Sequence, residues 1–123
     1  MTPHLFTGAG SSAPSVDRLA IARGLLAAQQ SLARTLGNHF MANTSLELLL
    51  ELYIAHDTGG TLSASDAIAR LGPSPNVTWR WIMALEDDGL IVLGKDGRSG
   101  TLDITDRGLD RIRNAIDTIA AFG

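Results

Sequence analysis

The chain has 123 residues, no cysteine and a formal net charge of −3. This length suits one domain with a substantial core, and the lack of cysteine excludes disulfides, thiolate metal sites and thiol redox switches. No apolar run reaches the roughly 18 residues of a membrane span, and the N-terminus has no secretory-signal pattern, so we expect a cytoplasmic protein. The acidic balance means that any nucleic-acid footprint has to be a local basic patch.

The first third of the chain predicts a tail followed by a long helix. Residues 1–14 are rich in Gly, Ser, Pro and Ala and have no period, which indicates a flexible tail. Ser15 is a candidate cap for a helix over 15–36, with Gly37 as its stop. The apolar surface of that helix is wider than one core contact requires. We therefore expect it to be central in the fold or shared with a second subunit.

A second helix and a short strand follow. Thr44 and Glu47 have the spacing of a capping box, in which two side chains satisfy the free N–H groups of a helix start. The amphipathic pattern behind them continues until Gly59. Thr61 and Leu62 fit a short strand.

Two further helices are separated by a tight turn. The first is short, begins at Ser63 and is broken at Gly72-Pro73. The second covers residues 75–88, with Ser74 as its cap and a proline at its first position, where the missing N–H costs nothing. A short helix, a turn and a second helix are the elements of a helix-turn-helix.

The last third predicts a hairpin and a final helix. "LIVL" and "TLDI" flank the Gly-rich, charged tip "GKDGRSG", and Thr105 is a candidate cap for a helix over 106–121. A hairpin directly after a helix-turn-helix is the wing of a winged helix. We predict a mainly α fold of the α+β class, with a single winged-helix domain over 15–123 and dimerisation helices at 15–36 and 106–121.

The only two tryptophans, Trp79 and Trp81, lie on the helix over 75–88 and cannot share a face. Helical spacing places Trp81 on the apolar face, so we predict that Trp81 is in the core and Trp79 is exposed. The proposed core face consists of Thr78, Trp81, Ile82 and Leu85. Two alternatives remain for what covers Trp79. It packs against the tail, the wing or a second subunit, or it lies in a DNA groove against sugar or a thymine methyl.

Arg80, beside Trp79, is suited to bind a phosphate or a guanine edge, because its planar guanidinium makes paired hydrogen bonds. Its alternative role is that of an ordinary solvated charge. The free N–H groups after Ser74 would also attract a phosphate. Acidic residues 86–88 lie at the opposite end of this helix. A helix that enters a groove by its N-terminal half keeps them away from DNA.

Two segments resemble the MarR-type winged-helix regulators. "VTWRWIMALEDDGLI" is similar to the recognition-helix signature of that family, and "DGRSGTLDITDRG" is similar to its wing. The first match is carried by Arg80, Leu85, Glu86, Gly89, Leu90 and Ile91. The second is carried by Asp96, Arg98, Ile104, Thr105 and Gly108. Together the matches cover about residues 44–110.

The resemblance implies a homodimeric, sequence-specific transcriptional regulator that binds double-stranded DNA. In the family the helix at 75–88 enters the major groove, and the wing at 94–100 reaches the minor groove or the backbone. The resemblance also implies that Arg98 is the minor-groove residue and that Asp96 orients it. An arginine on a Gly-rich tip can reach into a narrow, negative groove. The predicted DNA-binding residues are Ser74, Asn76, Trp79, Arg80, Lys95, Asp96 and Arg98.

Other chemistry has little support in the sequence. The three histidines are scattered, no metal spacing is present, and no motif supplies a nucleophile, a base or a cofactor site. We therefore expect no enzyme, no metal and no cofactor. A small-molecule effector is left open, without residues assigned to it. The alternative function is a winged-helix module that binds protein and not DNA, with Trp79 as the partner contact.

Overall fold

The computed structural model describes residues 4–36, 43–71 and 74–122, and within these ranges the side chains from residue 18 to residue 121. The described chain is mostly helical, with a small antiparallel sheet of three strands. No helix in these ranges is long and apolar enough to cross a membrane. The elements are α1 (His4–Leu36), α2 (Thr44–Thr58), β1 (Leu62–Ser63), α3 (Ala64–Arg70), α4 (Pro75–Asp87), β2 (Ile91–Leu93), β3 (Thr101–Ile104) and α5 (Asp106–Phe122).

The predicted hairpin is confirmed. Strands β2 and β3 pair antiparallel with Ile91 opposite Ile104, and β1 joins the other edge of β3 with Leu62 opposite Leu102. The sheet order is therefore β1-β3-β2, with β3 in the centre. This order ties the hairpin to the segment that leads into α3.

Most of the predicted helix ends are confirmed, because they depend on local chemistry. The Ser63 hydroxyl accepts a hydrogen bond from the amide of Asp66 at 3.0 Å and caps α3. The Ser74 hydroxyl does the same for Val77 at the start of α4. Gly59 closes α2 in the left-handed conformation, with φ of 73°, which glycine adopts without strain.

Two helix starts differ from the prediction. The cap of α2 is Asn43, whose side chain accepts from the amide of Leu46 at 3.2 Å, while Thr44 is buried within the helix. Asparagine is among the strongest capping residues, and it lies one position before the predicted cap. Helix α1 begins at His4, ahead of Ser15, so residues 4–14 extend it. Extending an existing helix avoids a second nucleation cost. Gly37 and Gly72-Pro73 lie outside the described residues.

The buried side chains form two clusters that meet at α2. The first, which we call the sheet core, joins α2, α3, α4 and the strands. The second, which we call the helical core, joins α1, α2 and α5 around Tyr53, Ile112 and Ile116. An Arg18–Asp117 pair with hydrogen bonds of 2.7 and 2.9 Å links α1 to α5 at the surface. The two cores separate the part of the fold that carries the candidate site from the part that packs α1 on α5.

Candidate nucleic-acid interface

The start of α4 is held by polar contacts from the turn before it. The Thr78 hydroxyl is buried and donates to the carbonyl oxygen of Leu71 at 2.6 Å, which ties α4 to the end of α3. Ser74 caps the helix, and its first turn contains no acidic residue. Free backbone N–H groups at a helix start favour an anion. This end of α4 is thus both fixed in place and suited to a phosphate.

The structure reverses the predicted roles of the two tryptophans. Trp81 is 42% exposed, whereas Trp79 is half-buried and packs on the sheet core. The predicted core residues Thr78, Ile82 and Leu85 are buried, so only Trp81 was wrongly included. At 100° per residue, Trp81 lies about 70° and Trp79 about 90° from the centre of that face. Helical spacing therefore favours Trp81 only slightly.

The hairpin decides which tryptophan is covered. The guanidinium carbon of Arg98, from the tip of the hairpin, lies over the Trp79 ring, 4.9 Å from its centre. Among the described elements nothing covers the opposite edge of α4 to the same extent, and Trp81 stays open there. The sequence left open whether Trp79 packs against protein, with the wing as one candidate, or lies in a DNA groove, and the contact with Arg98 is a packing contact with the hairpin.

The tip of the hairpin is folded back on α3. Residues Gly97–Ser99 form a short 3-10 turn, and Gly97 has a positive φ of 61°. The carbonyl oxygen of Gly100 accepts a hydrogen bond from the amide of Ala64 at 2.9 Å. A Cβ on Gly100 would lie 2.9 Å from the carbonyl oxygen of Gly94, so the two backbones approach too closely for a side chain. The turn therefore fixes the backbone position from which the Arg98 side chain extends.

The cations of the predicted site are accessible. Asn76, Arg80, Lys95, Asp96 and Arg98 are all exposed. Within the described residues, Arg80, Lys95 and Arg98 form no salt bridge. Asp96 is therefore not paired with Arg98 in this part of the chain. The Trp79 ring, and not a carboxylate, is thus the neighbour that the structure places against Arg98.

The outer surface of α4 carries a shallow concavity of about 320 Å³. It is lined by Val77, Arg80, Trp81 and Ala84. These positions are spaced i, i+3, i+4 and i+7, so they form one stripe along the helix. Sequence reasoning included Arg80 in the site and missed Trp81, because it assigned Trp81 to the core.

Several residues of the two family-like motifs have structural roles. The Glu86 carboxylate accepts a hydrogen bond from the amide of Leu93 at 3.0 Å and so ties α4 to β2. The Thr105 hydroxyl donates to the carbonyl oxygen of Gly89 at 2.6 Å and accepts from the amide of Gly108. A Cβ on Gly108 would clash with the carbonyl oxygen of Leu90. These contacts join the end of α4, the hairpin and the start of α5 into one unit.

The resolved pKa shifts lie on α1, α2 and α5. Burial, and then the nearby Glu51, raises the pKa of Glu47. Burial also raises the pKa of Tyr53, with Asp57 adding to the effect. The hydrogen bonds from Arg18 lower the pKa of Asp117. These shifts follow from packing and ion pairing in the helices that do not carry the candidate interface.

Comparisons of the chain with family models, with curated proteins and with solved structures found no match. Among the described residues, no group of three or more His, Cys, Asp or Glu side chains is placed to hold a metal ion. The accessible surface of α4 and the hairpin is thus the basis for a functional proposal.

Proposed function

We propose that this protein is a sequence-specific, DNA-binding transcriptional regulator of the MarR-type winged-helix class. In this proposal α3 and α4 are the helix-turn-helix, and helix 75–88 enters the major groove. The β2–β3 hairpin is the wing, and its residues 94–100 reach the minor groove or the backbone. The active form is a homodimer on double-stranded DNA.

One observation carries the proposal: Arg98 of the hairpin rests on Trp79 of α4, 4.9 Å from its ring centre. This contact brings a hairpin cation to the N-terminal half of the helix that also exposes Arg80. The capped start of α4 at Ser74 adds backbone N–H groups at the same end. A hairpin cation beside the N–H groups of a capped helix start, on a helix that also exposes Arg80, is suited to phosphate contacts on a duplex.

The exposed side chains of α4 match the chemistry of base edges. Asn76 can make paired hydrogen bonds to adenine, and Arg80 can do so to guanine. In this proposal Trp81 contacts a sugar or a thymine methyl in the groove, because Trp81 is the exposed ring. The sequence had suggested Trp79 for that contact. The shallow stripe around Trp81 offers an apolar surface for such a methyl group.

The acidic residues at the end of α4 are compatible with this arrangement. The Glu86 carboxylate is engaged by the amide of Leu93. Asp87 and Asp88 are exposed at the C-terminal end, away from the first turn. A helix docked by its N-terminal half directs these charges away from the groove. The net charge of −3 therefore does not conflict with a local cationic surface.

Exposed apolar side chains on α1 and α5 support a homodimer. Leu32 and Leu36 are 40% and 54% exposed, and Ile119 is 40% exposed. A second copy that covers these side chains would remove apolar surface from water. In a two-fold dimer the two copies of α4 should lie about 34 Å apart, which is one turn of DNA.

The test is fluorescence anisotropy with a labelled pool of random duplexes at low salt. We expect binding by the wild type and a loss of roughly 5- to 100-fold in Arg80→Ala, the size of a base or phosphate contact. Arg111→Ala is the matched control, since it removes one exposed arginine from α5. If the wild type does not bind any duplex at low salt, the proposal is rejected.

The second candidate is a winged-helix module that binds protein and not DNA. It is favoured by the exposure of Trp81 together with Met83, which is 37% exposed, on the same helix. Aromatic and methionine side chains are enriched in protein interfaces. In this case duplex would leave the fluorescence of Trp81 unchanged, and Trp81→Ala would weaken partner binding more than Arg80→Ala.

A further inference from the structure

The Trp79 ring has two groups of neighbours. It packs against the sheet core as a half-buried side chain, and the Arg98 guanidinium of the hairpin lies over the ring. A half-buried ring beneath a guanidinium offers a base or a sugar less surface than the open ring of Trp81. The neighbour of Trp79 on the hairpin side is the Arg98 guanidinium, so an effect of the ring on a ligand can act through that group.

The position of Arg98 over the Trp79 ring leaves its hydrogen-bonding capacity available. A guanidinium interacts with an aromatic ring through its flat face, while its five N–H donors point outward in its plane. The residue is exposed, and among the described residues no carboxylate pairs with it. The donors of Arg98 thus stay free for phosphate or base-edge oxygens.

The backbone and the ring together restrict Arg98. Its backbone lies in the short turn that the Ala64 amide anchors through Gly100, and its side chain rests on Trp79. An unrestrained arginine loses much rotamer freedom when it binds. A side chain that is already held in one orientation loses less, which strengthens binding without adding a contact.

We propose that Trp79 is a positioning residue that holds the Arg98 guanidinium ready for an anionic oxygen of DNA. This role rests on the proposed function. It assigns Trp79 no contact of its own with DNA, in contrast to Arg80 and Trp81 on the outer surface of α4. The consequence is that removing the ring harms binding only as long as Arg98 is present.

A double-mutant cycle tests this role. Duplex affinity is measured for the wild type, Trp79→Leu, Arg98→Ala and the double variant, each confirmed as folded by thermal melts. We expect Trp79→Leu to weaken binding by roughly 2- to 30-fold, the range of a cation–π interaction. In the Arg98→Ala background the same change should have no further effect. Trp79→Phe, which keeps an aromatic face, should restore most of the affinity.

Other outcomes overturn the role in different ways. Equal losses from Trp79→Leu with and without Arg98 would show that Trp79 acts directly or only through stability. An Arg98→Ala variant with wild-type affinity and salt dependence would remove the guanidinium from the interface. Both results leave DNA binding itself standing, whereas a wild type that binds no duplex overturns the proposed function together with this role.

A spectroscopic measurement tests the stacking without DNA. In a Trp81→Phe background Trp79 is the only tryptophan. Arg98→Ala should then shift its emission and increase quenching by the neutral quencher acrylamide, since the guanidinium no longer covers the ring. Arg80→Ala is the control and should leave the emission unchanged. Unchanged emission in Arg98→Ala would overturn the role.

Discussion

The unit of α3, α4 and the hairpin is held together differently from the layer formed by α1 and α5. Both have an apolar core, but in the first polar side chains also bond directly to backbone groups of other elements, as Thr78 does to Leu71, Glu86 to Leu93 and Thr105 to Gly89. In the second, apolar side chains pack across helices, and one exposed ion pair bridges them.

The difference concerns what sets the position of each element relative to its neighbours. Hydrogen bonds to backbone groups have narrow geometry, so they determine how α4 and the hairpin are placed. Apolar packing is non-directional, and the α1–α5 layer still exposes Leu32, Leu36 and Ile119. A unit cross-linked by such hydrogen bonds, beside a layer that leaves apolar side chains exposed, is compatible with the proposed dimeric regulator.

The largest effect is expected from glycine substitutions at two contrasting sites, one at the start of α5 where it meets the hairpin unit and one on α1 in the helical layer. Gly108→Ala should lower the free energy of unfolding by about 3 kcal/mol, because its Cβ would meet the carbonyl oxygen of Leu90. Gly24→Ala on α1 has open space around the new methyl group and should raise stability by up to about 1 kcal/mol. Urea unfolding measures both. Equal effects at the two sites would contradict the difference in packing.

The two tryptophans come next. Trp79→Ala should cost about 2–3 kcal/mol of stability, since the ring is half-buried, and Trp81→Ala should cost less than about 1 kcal/mol. Thermal melts of the two variants give the comparison. A larger loss from Trp81→Ala would restore the sequence-based assignment and overturn the one described above.

A smaller effect is expected where α4 meets the hairpin. Glu86→Ala should cost about 1–2 kcal/mol, because it removes a charged acceptor from the amide of Leu93. Hydrogen exchange at that amide should accelerate in parallel. Asp87→Ala, one residue further along the exposed end of the helix, is the control and should change stability by less than about 0.5 kcal/mol. Similar losses would show that Glu86 does not fix the hairpin.

The smallest effect concerns the ion pair of the α1–α5 layer. Arg18 lowers the pKa of Asp117, so the pair stabilises the folded state above the ordinary aspartate range. That contribution is lost as the pH falls through the lower pKa of the folded state, below about pH 4. Asp117→Asn should flatten the acid limb of the stability profile slightly. Asp110→Asn, which removes another exposed carboxylate from α5 without touching the pair, is the control variant.

The sequence by itself determined the features that depend on near neighbours. The caps at Ser63 and Ser74, the stop at Gly59 and the β2–β3 hairpin were all predictable. Each is decided within a few residues by hydrogen bonding or backbone conformation. The exposure of Arg80 and Arg98 at the candidate interface was predictable on the same basis.

Only the tertiary structure decided which edge of α4 is covered. Trp79 and Trp81 lie at similar angles from the centre of the buried face, so helical spacing favoured Trp81 only slightly and gave the wrong order. The hairpin, which follows later in the chain, places Arg98 over Trp79 and leaves Trp81 open. Contacts between segments distant in sequence also give Glu86 its structural role. Burial is a property of what packs against a residue, and that partner is not encoded in the local pattern.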